Sequence, residues 1–334
     1  MRIIEKIKQP FWEEIAQNCP HATFFHTPYW SELMTKTFSH EDMTKGFIFD
    51  NGTRAVFPLV REKSPPLRRF LRWDNYISGA AYTYGGPISD KPLSTDQLDE
   101  LIEYIGSMVK RHHLFIIREN PFTQKIRPSG FKEIEDLSHV FELFRCRNEE
   151  DLLKRYHKRV RRYVKKNLKN NEIEIKEADS LDEYKELYRI YLKSTTHWDR
   201  LLTDYPFELF QNIYDLKSDY IRLWAVYYEN KMIGGEIDLY WNDYCSAFVS
   251  YHEREYSKLQ ARTYMYHHIF LDCLAKGVKY FDFKQSGGIK GVAEFKRRMG
   301  GKEYHYSAWV KENNTAKRLT TIKETLTPMM GDSR

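Results

Sequence analysis

Three β-rich runs between Ile221 and Tyr251 constrain the fold more than any other stretch of this chain. Ile221–Tyr228, Met232–Tyr240 and Tyr244–Tyr251 are dense in β-branched and aromatic residues. The turns between them, Glu229-Asn230-Lys231 and Asn242-Asp243, are short enough to make the three antiparallel neighbours. A long helix is expected next, from about Ser257 to Lys276. It delivers the chain to a short strand at Tyr280–Phe283, where Phe281 and Phe283 alternate with Asp282 and Lys284 to give two unlike faces. Gly287 and Gly288 then allow a sharp turn or a close backbone approach, with Ser286 just ahead of them. Glu294-Phe295-Lys296-Arg297-Arg298 follows, and a second glycine pair, Gly300-Gly301. A strand that ends in a glycine turn and is followed by a lysine can hold an anionic or carbonyl group.

Upstream of the meander, Asn148-Glu-Glu-Asp151 starts a helix with an Asn cap and three acids where the helix dipole favours them. The pattern predicts one helix to about Asn170, with Leu152, Tyr156, Val160, Tyr163, Val164 and Leu168 as its apolar stripe. Ser180-Leu-Asp-Glu183 is a capping box for the next helix, and a third is expected over 206–216. Earlier still, Thr27-Pro28 reads as a helix start, with Trp30, Leu33, Met34 and Phe38 on one face. Asp50-Asn51-Gly52 is a hairpin signal. Tyr82-Thr-Tyr-Gly-Gly-Pro87 is read as the end of a strand, 96–113 as a helix, and Leu114–Ile117 and Leu137–Phe144 as strands. Strands and helices alternate throughout, so the fold class is α/β (α+β). The boundary falls between Phe144 and Asn148, giving domains 1–146 and 147–334.

Helix, helix, three-strand meander, helix, strand is the order of a GNAT (acetyltransferase-like) domain, and the first half shows a looser version of it. Together with the glycine turn and Phe295-Lys296, this resembles the FemABX family of aminoacyl and acyl transferases. Phe24-Phe-His-Thr-Pro-Tyr-Trp30, Tyr84-Gly-Gly-Pro87 and Arg118-Glu-Asn-Pro121 resemble further stations of that family, although the family often has an acid where this chain has Asn120. The resemblance covers most of the chain. It implies tandem GNAT-like domains, each with a mixed, largely antiparallel sheet, and a cleft between them. It also implies a reaction site at Phe295 and Lys296. Trp30, Lys36, Tyr84 and Asn120 would line the first-half side, with Trp198 in the Thr195–Asp199 loop as a further acceptor contact.

Several residues can be weighed on their own chemistry. The 154–169 segment holds nine lysines or arginines and no acid, so a one-sided cationic face results. It is either a solvated face or an anion site built on Arg162, Lys165, Lys166 and Lys169. Lys296 would stabilise the oxyanion that forms in acyl transfer. Asp282 is the best candidate for a general base and equally a residue that caps the turn. Ser286 has no His–acid partner suggested by spacing and reads as a turn hydroxyl. In a CoA-dependent GNAT enzyme, glycines before the long helix cradle pyrophosphate. Here that place reads Arg254-Glu-Tyr-Ser-Lys-Leu-Gln-Ala261, without glycine, with Arg254 and Arg262 as the remaining phosphate contacts. The missing glycines disfavour acyl-CoA, and the resemblance to FemABX implies an aminoacyl-tRNA donor, with acyl-CoA as the alternative and no tightly bound cofactor. It also implies an acceptor amine on a phosphate-bearing peptidoglycan precursor or glycan. A silent RNA- or membrane-binding module is the reading of a different class.

Composition sets the outer bounds. Among 334 residues, 41% are hydrophobic, which supports packed cores, and a net charge of +6 is too small for a dedicated DNA binder. It leaves room for contact with tRNA or an anionic membrane surface. Four scattered cysteines, with no C-x-x-C, argue against a zinc ribbon or disulfide framework. His112-His113 and His267-His268 are expected on helices, where neighbours diverge, so metal binding is not expected. No apolar leader or long apolar run is visible, and a cytoplasmic setting is the simplest expectation.

Overall fold

A computed structural model describes residues 1–63, 74–109, 112–123, 125–195 and 205–313. The chain forms two compact units. One comprises 1–21, 25–135 and the segment from 307 onward; the other comprises 22–24 and 136–306.

The first unit holds strands β1 (Arg2–Ile4), β2 (Glu41–Asp42), β3 (Lys45–Ile48), β4 (Arg54–Phe57), β5 (Val60–Glu62), β6 (Asp74–Ser78), β7 (Ile88–Ser89) and β8 (His112–Arg118). The Asp50-Asn51-Gly52 turn joins β3 and β4 as expected, with Ile48 opposite Arg54 and Gly52 at φ +81°. β1, β3, β4 and β7 form a small antiparallel sheet in that order, whereas β8, β6, β5 and β2 are successive neighbours in a larger sheet. Thr27 caps the Pro28–Phe38 helix by accepting from the Trp30 N–H. The Thr95–Met108 helix starts in a full capping box between Ser94 and Gln97 and buries Leu98, Leu101, Ile102 and Ile105. It does not run to His113. His112 and His113 open β8, where His112 pairs with Asp74 of β6 and a register shift leads on to Leu114 opposite Asn75. Tyr82 to Pro87 is not a strand end either. β6 stops at Ser78, a short 3-10 turn follows, and Gly85 packs so closely that an added Cβ would lie 2.4 Å from the Gly79 nitrogen.

The second unit is ordered β10-β11-β12-β13-β14-β9, with β9 at Lys132–Glu142 (its residues up to 135 belong to the first unit), β10 at Ile173–Glu177, β11 at Ile221–Tyr228, β12 at Lys231–Trp241, β13 at Tyr244–His252 and β14 at Tyr280–Asp282. β10 to β13 are antiparallel throughout. β14 joins β13 in parallel, over Tyr244–Ser246 against Tyr280–Asp282 only. β13 then continues alone on that side to His252, so the two strands part just beyond Ser246 and Asp282. The final strand, β15 (Lys302–Glu312), begins in this unit and continues into the first, where Ala308–Glu312 pairs with β8. Helices Leu181–Thr195 and Ala261–Ala275 both contact β12, and the core gathers Phe141, Tyr156, Met265, Phe270, Phe281 and Phe283.

The single helix expected over 148–170 is two. Glu149–Arg155 ends at Tyr156, which is extended (ψ 145°), and Lys158–Asn170 restarts with the His157 side chain as its cap. Tertiary bonds outweigh helix continuity here. The buried Tyr156 hydroxyl meets His267 Nδ1 at 3.1 Å, and the His157 N–H donates to the Arg298 carbonyl at 2.9 Å. Leu168 is exposed rather than part of the stripe. Asn167 takes the inward position and donates to the Tyr163 and Leu259 carbonyls.

Candidate functional site

The site is built where β13 and β14 part. β14 ends at Asp282, which is fully buried and accepts from the Ser138 hydroxyl and from the Lys284 N–H. Lys284 is left-handed (φ +58°), and Gly287 and Gly288 follow with positive φ, so the chain reverses tightly. The Lys290–Arg298 helix brings Lys296 back under this turn. Its Nζ donates to the carbonyls of Lys284 (2.9 Å) and Gln285 (2.7 Å). An ammonium has three protons. The third makes no hydrogen bond among the described residues. Gly300, at φ +95°, ends the helix; a Cβ there would sit 2.7 Å from the Phe141 ring.

Lys296 is 7% exposed. Burial lowers its pKa to about 8, although Asp282 and Glu236 favour its charge. Phe295, next to it, is half-buried and packs on Tyr266 with ring centroids 5.6 Å apart. Glu236 and Asp238 lie on β12 at alternate positions, so they share a face, and Glu236 stands opposite Ser250 of β13. Both carboxylates are fully buried, and none of their four oxygens has a normal hydrogen bond to a described residue. Burial, and for Asp238 also the neighbouring Glu236, holds both acids above the usual carboxylate range. They carry a proton more readily than a free carboxylate does.

His139, on β9, completes the cluster. It is 1% exposed, and its Nδ1 lies 3.5 Å from the Ser286 hydroxyl oxygen. Its Nε2 faces Glu303 at 3.8 Å. Burial first, then Lys296 and Arg297, lower its pKa, while Glu303 opposes.

The structure thus brings Asp282, Ser286, Gly287, Gly288, Phe295 and Lys296 together within one unit. Arg262, on the first turn of the Ala261–Ala275 helix, is exposed and donates to His252 Nδ1 at 3.3 Å. Arg254 is exposed on a 3-10 turn over Arg254–Leu259, and the long helix starts four residues later than its expected position near Ser257. Arg162, Lys165, Lys166 and Lys169 are exposed on the Lys158–Asn170 helix and form no ion pair with a described residue. In the first unit Lys36 is exposed, whereas Trp30 and Tyr84 are buried in the interior, each against Phe25. Asn120 is buried with both side-chain ends committed, its amide to the His21 carbonyl and its oxygen to the Phe122 N–H. Trp198 lies outside the described residues. His267 is a satisfied core histidine between Tyr156 and Glu149. All four cysteines are buried and outside any disulfide.

Reasoning from sequence passed over His139, Glu303, Glu236 and Asp238. Glu236 and Asp238 did carry a signal: two acids alternating with Ile237 and Leu239 in an otherwise apolar strand. His139 carried none beyond its place in a strand.

Residues 154–297 match the acetyltransferase (GNAT) domain family, which makes the second unit a GNAT domain and the protein an acyltransferase by class. As a whole the chain shares its fold with several solved structures. It is similar to the crystal structure of FemX at 11% identity, covering 96% of this chain and 99% of that one, with a TM-score of 0.73. It is also similar to a tandem GNAT protein from the clavulanic acid biosynthesis pathway (9% identity, 93% and 98% coverage, TM-score 0.54). L-PGS from Bacillus licheniformis shares the fold as well (9%, 100% and 99%, TM-score 0.54). No curated protein matches the sequence. Among the described residues, no helix is long and apolar enough to cross a membrane.

Proposed function

We propose that this protein transfers an aminoacyl group from an aminoacyl-tRNA to an amine on a phosphate-bearing peptidoglycan precursor or glycan. The observation that carries the reading is Lys296. It is a nearly buried ammonium with two protons tied to the Lys284 and Gln285 carbonyls and a third uncommitted among the described residues. Such a group is pre-oriented for charge that develops on a donor carbonyl oxygen, and losing a donor of this kind costs about 3 kcal/mol of transition-state stabilisation. Two fixed bonds mean that little reorganisation remains when the reaction occurs.

Two observations favour tRNA as the source of the acyl group. The exposed cations of the Lys158–Asn170 helix suit a polyanion larger than a single pyrophosphate. The turn before the Ala261–Ala275 helix has Gln260 rather than glycine at its left-handed position (φ +58°), so side chains crowd the place where a diphosphate loop would wrap. Phosphates on the acceptor could be met by Arg254 and Arg262. Asp282, already accepting from Ser138 and Lys284, acts in this reading on the turn and on the charge of Lys296.

The test is a transfer assay with charged tRNA and with acyl-CoA, run beside calorimetry with CoA. Transfer from charged tRNA that falls about a hundredfold in Lys296→Ala is the expected result. Tight CoA binding with acyl-CoA turnover would replace the donor. Full activity in Lys296→Ala would remove the proposed site.

A further inference from the structure

We propose that Ser286 and His139 form the proton relay of the transfer reaction, with Ser286 touching the attacking amine and His139 acting through it. This rests on the acyl-transfer reading above and supplies the base that the sequence did not reveal. Four observations carry it. Ser286 sits in the same tight turn whose carbonyls hold Lys296, one residue after Gln285. It is half-buried, so it keeps a surface that a substrate can reach. Its oxygen lies 3.5 Å from His139 Nδ1, a long contact of the kind that shortens when substrate binds. On the far side of the ring, Nε2 is buried without a hydrogen bond and faces the Glu303 carboxylate at 3.8 Å. That carboxylate is close enough to stabilise an imidazolium once one forms.

The charged groups around the ring come from three elements. Lys296 and Arg297, from the Lys290–Arg298 helix, favour the neutral imidazole. Glu303, from β15, opposes them. Asp282 and Lys284 flank the ring's own strand, where the His139 carbonyl accepts from the Phe283 N–H and its N–H donates to the Lys284 carbonyl. Burial adds to the two cations, so the ring rests neutral and able to accept a proton.

The step balances without any further reactant. The acceptor nitrogen attacks the donor carbonyl carbon, a C–N bond forms, and the carbonyl pair moves to the oxygen beside Lys296. One N–H proton passes to the Ser286 oxygen as the hydroxyl proton passes to His139 Nδ1. The carbonyl then re-forms, the ester C–O bond breaks, and the leaving oxygen takes the proton back through Ser286. Ester and amine become amide and alcohol.

The relay requires one tautomer, with hydrogen on Nε2 and the lone pair on Nδ1 toward Ser286. Nitrogen-15 NMR of the imidazoles in the full chain, with His139→Gln to assign the signal, is expected to show that tautomer and a neutral ring at pH 7.5. Hydrogen on Nδ1, or an imidazolium at that pH, overturns the relay without any need for turnover. A second arm uses hydroxylamine as acceptor and reads hydroxamate formation from charged tRNA and from acyl-CoA. Ser286→Ala, which removes a half-exposed hydroxyl, is expected to lose about 10²-fold in kcat with KM for the donor unchanged, and to lose the rising acid limb of the pH profile. Activity within about threefold of wild type and an unchanged limb overturn the relay while leaving the acyl-transfer reading intact. No hydroxamate from either donor in the wild type removes that reading and the relay together.

Discussion

Exchanging Lys296 for methionine removes a charge that the fold tolerates at a cost, and the size of that cost follows from its surroundings. The ammonium is depressed from the ordinary lysine value of 10.5 to about 8 by burial, against the pull of Asp282 and Glu236. Each pH unit of displacement is worth about 1.4 kcal/mol, so at pH 7 the charged form is about 3 kcal/mol less favourable in the folded chain than in the unfolded one. The sign follows from proton counting. Between pH 8 and 10.5 the unfolded chain holds the proton and the folded chain has released it. Stability from this group therefore rises with pH through that window, and the cost is felt in full below it. Methionine also leaves the Lys284 and Gln285 carbonyls without their donor, a loss that does not change with pH. The diagnostic quantity is thus the difference in slope. Denaturant unfolding at pH 7, 8, 9 and 10 should show the wild type gaining about 2–3 kcal/mol relative to Lys296→Met. Curves that stay parallel would refute the argument. Activity supplies the second reading. If the cation stabilises an oxyanion, kcat with hydroxylamine should fall as pH rises through about 8. A kcat that instead climbs to a plateau above pH 9 would make the neutral amine a base and overturn the electrostatic role.

Asp238→Asn removes an acid whose pKa is raised, so the wild type loses stability from it as pH rises above the ordinary carboxylate range. The variant should gain in Tm relative to wild type between pH 4 and 8, and a constant difference would count against a proton held at this pair. Gly300→Ala forces a Cβ to within 2.7 Å of the Phe141 ring at φ +95° and should cost about 2–4 kcal/mol by denaturant unfolding. Lys165→Glu with Lys166→Glu should weaken tRNA binding at low salt and make the dependence of log affinity on log salt shallower by about one to two, with Tm nearly unchanged. An unaltered salt slope would leave this helix as a solvated face.

What could be read ahead of the structure was local. The β11–β13 boundaries lie within a residue of those expected, because Glu229, Asn230 and Asn242 take left-handed conformations inside turns that their neighbours already imply. Thr27, Asn148 and Ser180 cap their helices through bonds spanning three residues. What was missed depends on distant partners. The break at Tyr156 is made by His267, 111 residues away, and the meeting of Ser286 with His139 spans 147. The alternation at Glu236 and Asp238 reads as a strand with one wet face, yet the Ala261–Ala275 helix lies against β12 and the acids are dry. Trp30 and Tyr84 resemble family stations by position, but they are interior side chains of the first unit.

The route of β15 bears on how the chain is made. β8 pairs with Ala308–Glu312, and buried Glu119, just after β8, accepts from the Trp309 indole at 3.1 Å and the Ser307 N–H at 3.3 Å. A ribosome therefore finishes the first 135 residues long before it delivers the strand that completes their unit. Until then β8 is a bare edge and Glu119 lacks two of its donors, so during synthesis this region is open to pairing with the wrong strand. The second unit, spanning 136–306 apart from a short stretch near residue 23, can close first. Stopping the chain before Ser307 should accordingly unsettle the residues near the N-terminus more than those around Lys296, the reverse of what distance along the sequence suggests.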